Sequence, residues 1–239
     1  MAKSSGIGDR LFVNSTDLSG DIGSITAINV TRELLRVTSI VSSAEERILG
    51  RADGEISFAA FHNTSTGAHS VLSAIGTADC IVSVAHGATA GSPAASLIAK
   101  KVDYNTTLGE DGSLAHTSTA RSNGAAVEWG VMQSAGTASF AGTAQGGTVD
   151  GAAQSTSGGA AYLHIFSIGA GTATFSVQDS SDGSTGWANV TGLVFTAASA
   201  VTSERVATAA GATIKRYTRA NCTNPGGGTA VAFLNFARY

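Results

Sequence analysis

The stretch from Asp17 to Asn63 sets the terms for the whole chain. A turn-forming run, Asp17 to Gly23, leads into Ser24 to Ile40, which carries Ile25, Ile28, Val30, Leu34, Leu35, Val37 and Ile40. A charged segment follows, Ser43-Ala44-Glu45-Glu46-Arg47-Ile48-Leu49-Gly50-Arg51, and then Glu55 to Asn63, in which Ile56, Phe58, Ala60 and His62 share one face and Ser57, Ala59 and Phe61 the other. The pattern predicts a long strand, a short capped helical turn or loop, and a second strand. Glu46 three residues after Ser43 fits a capping box, and the broken alternation at Arg32-Glu33-Leu34-Leu35 predicts a bulge or bend. Such a hairpin is too long, and its tip too charged, to serve only as a turn. Strand edges without a partner inside one chain invite one from another.

Composition agrees with a β protein. Thirty glycines and many Thr and Val residues disfavour helix, while 43% apolar residues and a net charge of −3 in 239 residues exclude a disordered chain. Through Gly130 there are 13 acids and 9 bases, and after it four acids and five bases. Neither balance suits a protein that grips nucleic-acid phosphates. Two cysteines, Cys80 and Cys222, are too few for a disulfide framework. Residues 1–10 lack the apolar core of a signal peptide, and no apolar run approaches a membrane span.

Along the rest of the chain, residues 1–16 read as a polar arm that becomes ordered on assembly. Thr66 to Ile75 predicts a short helix with Ala68, Val71, Leu72 and Ile75 on one stripe. Cys80 to Val84 predicts a buried strand, and Leu97 to Thr107 with Gly112 to Ala120 a hairpin around Leu108-Gly109-Glu110-Asp111. A domain boundary is placed near Arg121 to Gly124, giving domains at 17–124 and 125–239. In the second, Ala160 to Ile168 is apolar on both faces and reads as a central strand. Thr172 to Gln178 is expected to pair with it across Gly169-Ala170-Gly171. Short strands from Val190 to Arg238 between Gly-rich turns predict a jelly-roll-like β-sandwich.

The order Asp17-Leu18-Ser19-Gly20, strand, Arg47-Ile48-Leu49-Gly50-Arg51-Ala52-Asp53-Gly54, strand resembles the major tail proteins, or tail tube subunits, of long-tailed non-contractile bacteriophages. Ala161 to Phe166, Asp179 to Trp187, Lys215 to Ala220 and Ala232 to Arg238 match the C-terminal half that phage tail proteins often carry, so the resemblance spans most of the chain. It implies a mainly β chain: a tail-tube-like sandwich or barrel domain with one or two short helices, then the C-terminal sandwich. It further implies stacked homo-hexameric rings (trimeric rings if the second half is itself tube-like) and a lumen through which genomic DNA passes without specific binding. Tape-measure, tail-tip and terminator proteins would be its partners. The protein would be made in the bacterial host cytoplasm and reside in the virion tail, without a membrane partner. On this reading Ser43, Glu45, Glu46, Arg47 and Arg51 are the inter-subunit or ring-stacking candidates.

Catalytic and ligand signatures point elsewhere. No Gly-x-Ser-x-Gly elbow or phosphate loop is present. His62, His69, His86, His116 and His164 show no metal-ligand spacing in sequence, and His62 and His164 read as satisfied sheet residues. Asp179 to Gly183 resembles the start of a calcium loop, but position twelve is Val190 rather than Glu. No enzyme, cofactor or metal is expected. Trp187 and Tyr217 keep open a rival reading, a carbohydrate-binding or decoration module of a virion or cell surface, although core aromatics explain both.

Overall fold

In the computed structural model, which describes residues 6–64 and 67–239, the β-branched and glycine-rich composition is realised as an almost wholly β chain. The strands are β1 Arg10–Val13, β2 Thr16–Asp17, β3 Ile22–Arg36, β4 Arg47–Phe61, β5 Cys80–Ala85, β6 Pro93–Lys101, β7 Asn105–Leu108, β8 Leu114–Ser122 and β9 Glu128–Met132. They continue with β10 Ala138–Ala141, β11 Ala144–Gln145, β12 Val149–Asp150, β13 Gly159–Ile168, β14 Thr174–Ser180, β15 Ala188–Val194, β16 Thr202–Ala207, β17 Tyr217–Thr223 and β18 Thr229–Arg238. One short helix, α1 Ala68–Leu72, interrupts them. Thr66, at the start of the expected helix, lies outside the described residues. The helix stops before Ile75, which is exposed.

The chain forms two units. The first contains the chain through Asp21, Cys80–Ser96 and Glu128–Tyr239; the second contains Ile22–Asp79 and Leu97–Val127. The expected boundary near residue 124 lies close to the last crossing between them. The earlier crossings arise from long-range pairing, because β5 pairs with β1 and Pro93–Ser96 of β6 with β9. That pairing also changes the account of the expected N-terminal arm. Residues 1–5 lie outside the described residues, but Leu11, Phe12 and Val13 are fully buried in β1, so this part is a sheet strand and not a free arm.

The first unit contains a jelly roll. One sheet runs β10-β18-β13-β16 and the other β11-β17-β14-β15, with β12 also on β17. Taking β11 and β12 as one broken strand, the chain changes sheet at every step from β10 to β18 except the β14–β15 hairpin. The first set is part of a larger sheet that continues from β18 to β9, and two four-position sets interleaved in this way have the double Greek key order of a jelly roll. Their facing side chains make one core: Phe140, Leu163, Ile165, Leu234 and Phe236 from the first sheet against Phe175, Val177, Leu193, Ala220 and Cys222 from the second. β13 is central, as its two apolar faces predict, with β16 and β18 on its edges. The expected β13–β14 pairing does not occur. Both edges of β13 are taken, and Gly169-Ala170-Gly171 carries the chain across to β17 and β15 in the other sheet. The crossing is tight, since a Cβ on Gly228 would lie 2.0 Å from the Ala170 carbonyl oxygen.

In the second unit β4 pairs with β3 on one side and β8 on the other, and β8 also pairs with β7 and with Ala99–Lys101 of β6. Ile56, Phe58 and Ala60 are buried and Phe61 is exposed, as the alternation predicts. The β3–β4 register shifts between Arg32 and Leu34, which places the expected bulge at Glu33.

Candidate assembly surface

β3 and β4 are each 15 residues long, but β8 supports β4 only from Glu55 to Phe61. The Arg47–Asp53 part of β4 therefore pairs with β3 alone among the described residues, as a two-stranded ribbon of about 23 Å at 3.3 Å per residue. Among the described residues β3 pairs only with β4, so its other edge presents backbone donors and acceptors.

Side chains on the ribbon do not follow the rule for a solvated hairpin. Leu34 pairs with Leu49 and Leu35 with Ile48, and because adjacent pairs point to opposite faces, each face carries an apolar pair. All four are exposed, as are Val30 below them and Val37, Ile40 and Val41 toward the tip. An isolated two-stranded hairpin is marginally stable at best.

The five sequence-predicted residues all lie on this ribbon, and all are exposed. Ser43 does not cap a helix. The tip is a loop in which Ser42 Oγ donates to Glu46 Oε1 at 3.0 Å, and the Glu46 N–H donates to Thr38 Oγ1 at 2.9 Å. Because the Val37 N–H also donates to the Glu46 carbonyl at 3.0 Å, the ladder continues where a capping box would have turned the chain. Glu45 pairs with Arg47 and lies 3.8 Å from Arg36, so it sits between two arginines that face each other across the ladder. Arg51 carries its charge on the exposed part of β4.

The root of the ribbon is fixed. Ser122 Oγ and the Gly54 N–H donate to Asp53 Oδ1 at 2.7 and 2.8 Å, and these hydrogen bonds hold the Asp53 carboxyl below the usual carboxylate range. Arg121 pairs with Glu55 at 3.1 Å. A Cβ on Gly54 would lie 2.5 Å from the Val127 nitrogen, so only glycine allows this approach.

No family model matches the sequence, and no curated protein matches it. Among solved structures the chain is similar to the Dit (gp 19.1) protein of phage SPP1, described as a paradigm of the hub adsorption apparatus in phages infecting Gram-positive hosts. The two are 8% identical with a TM-score of 0.37, over 96% of this chain and 99% of that one.

The other sequence candidates resolve individually. The Asp182 carboxylate accepts from the Ser184 and Thr185 N–H groups and from Thr185 Oγ1, which hold it far below its ordinary pKa in a self-contained turn. Trp187 is covered by the Arg219 guanidinium, 4.2 Å from the ring centroid, and Tyr217 by Arg216 at 4.9 Å. His164 is a satisfied sheet residue, fully buried, with Nε2 2.8 Å from Ser83 Oγ and Nδ1 on the Asn14 carbonyl. Burial holds it neutral, with its pKa lowered to about 4.

Sequence spacing missed one grouping in the second unit. His62 follows β4, His69 lies on α1 and His116 on β8, and one ring nitrogen from each falls within 4.8 Å of the others. His62 Nδ1 is 2.6 Å from His116 Nε2, His116 Nδ1 is 3.0 Å from Thr106 Oγ1, and His69 Nδ1 is 2.7 Å from the Tyr104 hydroxyl. Burial, and then the neighbouring His62 and His69, push the pKa of His116 down.

Proposed function

We propose that this chain is a non-enzymatic structural protein of a bacteriophage tail, assembled from copies of itself. The observation that carries the reading is the β3–β4 ribbon, which exposes an apolar pair on each face beside an open strand edge. A neighbouring copy would cover both. In the finer form of the proposal, implied by the sequence resemblance, the chain is a tail tube subunit. Strand edges close into a barrel around a lumen, in hexameric or pseudo-hexameric trimeric rings, and the ribbon tip with Ser43, Glu45, Glu46, Arg47 and Arg51 engages the next ring. Head-to-tail contacts close the ring, and ring-to-ring contacts leave an open filament. The surplus of acids through Gly130 would keep passing DNA from adhering. Tape-measure, tail-tip and terminator proteins are the expected partners at the ends.

The test is the concentration dependence of assembly by sedimentation velocity, for the wild-type chain and for a variant carrying charges on the ribbon. Assembly that disappears with the ribbon's apolar pairs supports the proposal. Assembly that is indifferent to them contradicts it. The rival, a glycan-binding sandwich, is weakened by the arginines that cover Trp187 and Tyr217. Glycan-dependent tryptophan fluorescence would revive it.

A further inference from the structure

We propose that His62, His69 and His116 form a binding site for one divalent first-row transition ion of the zinc class, which ties α1 to the β4–β8 sheet. The three imidazoles come from the residue after β4, from α1 and from β8, and one nitrogen of each already lies within 4.8 Å of the others. Tetrahedral zinc at 2.0–2.1 Å from each nitrogen needs nitrogens about 3.4 Å apart. The His62–His116 pair, 2.6 Å apart, therefore opens by less than an ångström, and a separation at the 4.8 Å limit closes by about 1.4 Å. Side-chain rotation supplies both changes.

The surroundings are those of a ligand set. A metal-binding histidine usually donates its other ring N–H to an oxygen that fixes its orientation. His116 Nδ1 has the Thr106 hydroxyl at 3.0 Å, and His69 Nδ1 the Tyr104 hydroxyl at 2.7 Å. With protons on those outer nitrogens, Nε2 of each ring carries its lone pair. Tyr104 also stacks on His116 at 4.7 Å and fixes that ring's plane. Three imidazoles without a carboxylate select zinc, copper or nickel over calcium and magnesium. A water molecule fills the fourth position.

The test is isothermal titration of the full, tag-free chain with zinc chloride, together with the visible absorption of its cobalt complex. The expected result is one ion per chain, a rise in melting temperature with zinc, and no response to calcium or magnesium. His69→Gln and His62→Gln, both at half-buried positions, should each weaken zinc binding about tenfold or more. Thr106→Val should weaken it by about tenfold through the lost orienting contact. His86→Gln, outside the cluster, should leave it unchanged. Circular dichroism of each variant distinguishes lost ligation from lost folding. The proposal is overturned if the folded chain takes up no zinc at millimolar concentration, if fewer than one ion binds per chain, or if binding survives both His62→Gln and His69→Gln.

Discussion

Leu34 and Leu49 face each other across the β3–β4 ladder, yet 63% of one and 61% of the other remains exposed. Paired leucines normally mark the inside of a sheet. Here they lie on a ribbon that extends past its last supporting strand, next to Leu35 and Ile48 on the opposite face. Burying a leucine fully contributes about 1.5–3 kcal/mol, so covering this pair in an assembly would contribute a few kcal/mol per subunit.

Replacing both residues, Leu34→Lys with Leu49→Lys, should therefore abolish self-assembly and leave the isolated chain folded. Both side chains are exposed in the monomer, so its stability should change by about 0.5 kcal/mol or less per site. Sedimentation velocity reads the first effect and urea denaturation the second.

Gly54→Val should act at the root of the ribbon. The added Cβ would meet the Val127 backbone 2.5 Å away, and backbone cannot swing aside as a flexible side chain would. A loss of about 1–3 kcal/mol is expected, as for other overpacked sites. Denaturant unfolding of Gly54→Val against Gly50→Val, where the nearest atoms lie 3.2 Å away, checks it.

Glu128 anchors a partly buried arrangement within the first unit. Arg205 donates to it through Nε at 2.9 Å and Nη2 at 2.8 Å, and the Tyr162 and Tyr239 hydroxyls bond to it as well. Burial alone would raise the Glu128 pKa, but the hydrogen bonds from Arg205 and the two tyrosines outweigh it and hold the carboxyl below its ordinary value. Tyr239 is pushed up to about 12, by burial and then by its bond to Glu128. Glu128→Gln leaves the Arg205 charge without its partner and should cost about 2–4 kcal/mol, whereas the charge-free double variant Glu128→Gln/Arg205→Met should recover part of that loss. Thermal melts of the two variants decide the point.

His164 gives the fold a pH dependence of definite sign. Its pKa is about 4 in the folded chain and about 6.5 when unfolded. Between those values the unfolded chain binds the extra proton, so stability is full above pH 6.5 and declines as pH falls toward 4. The size is about 3 kcal/mol at 1.36 kcal/mol per unit. His164→Gln, which can keep a hydrogen bond to Ser83, should flatten the decline in that window, as chemical denaturation at stepped pH would show.

Much of this architecture can be read from local pattern. The two apolar faces of Ala160 to Ile168 mark the central strand, and the broken alternation at Glu33 marks the bulge. The failures are of a different kind. Gly169-Ala170-Gly171 has the composition of a hairpin turn, and only the approach of Gly226 and Gly228 shows it to be a crossing between sheets. Ser43 and Glu46 have capping-box spacing, but Ser42 and Thr38 claim the Glu46 groups. The long β3–β4 hairpin was legible because two extended strand patterns flank one charged segment. The histidine cluster was not, because a helix and two β segments distant in sequence meet only through the sheet.

Negative-stain electron microscopy of the purified chain at rising concentration, beside virion preparations, shows whether the chain polymerises into a tail tube. Stacked rings or uniform hollow tubes are expected, and ring averages distinguish six subunits from three. A chain that stays monomeric at every concentration and is missing from virion tails would contradict the tail-tube proposal.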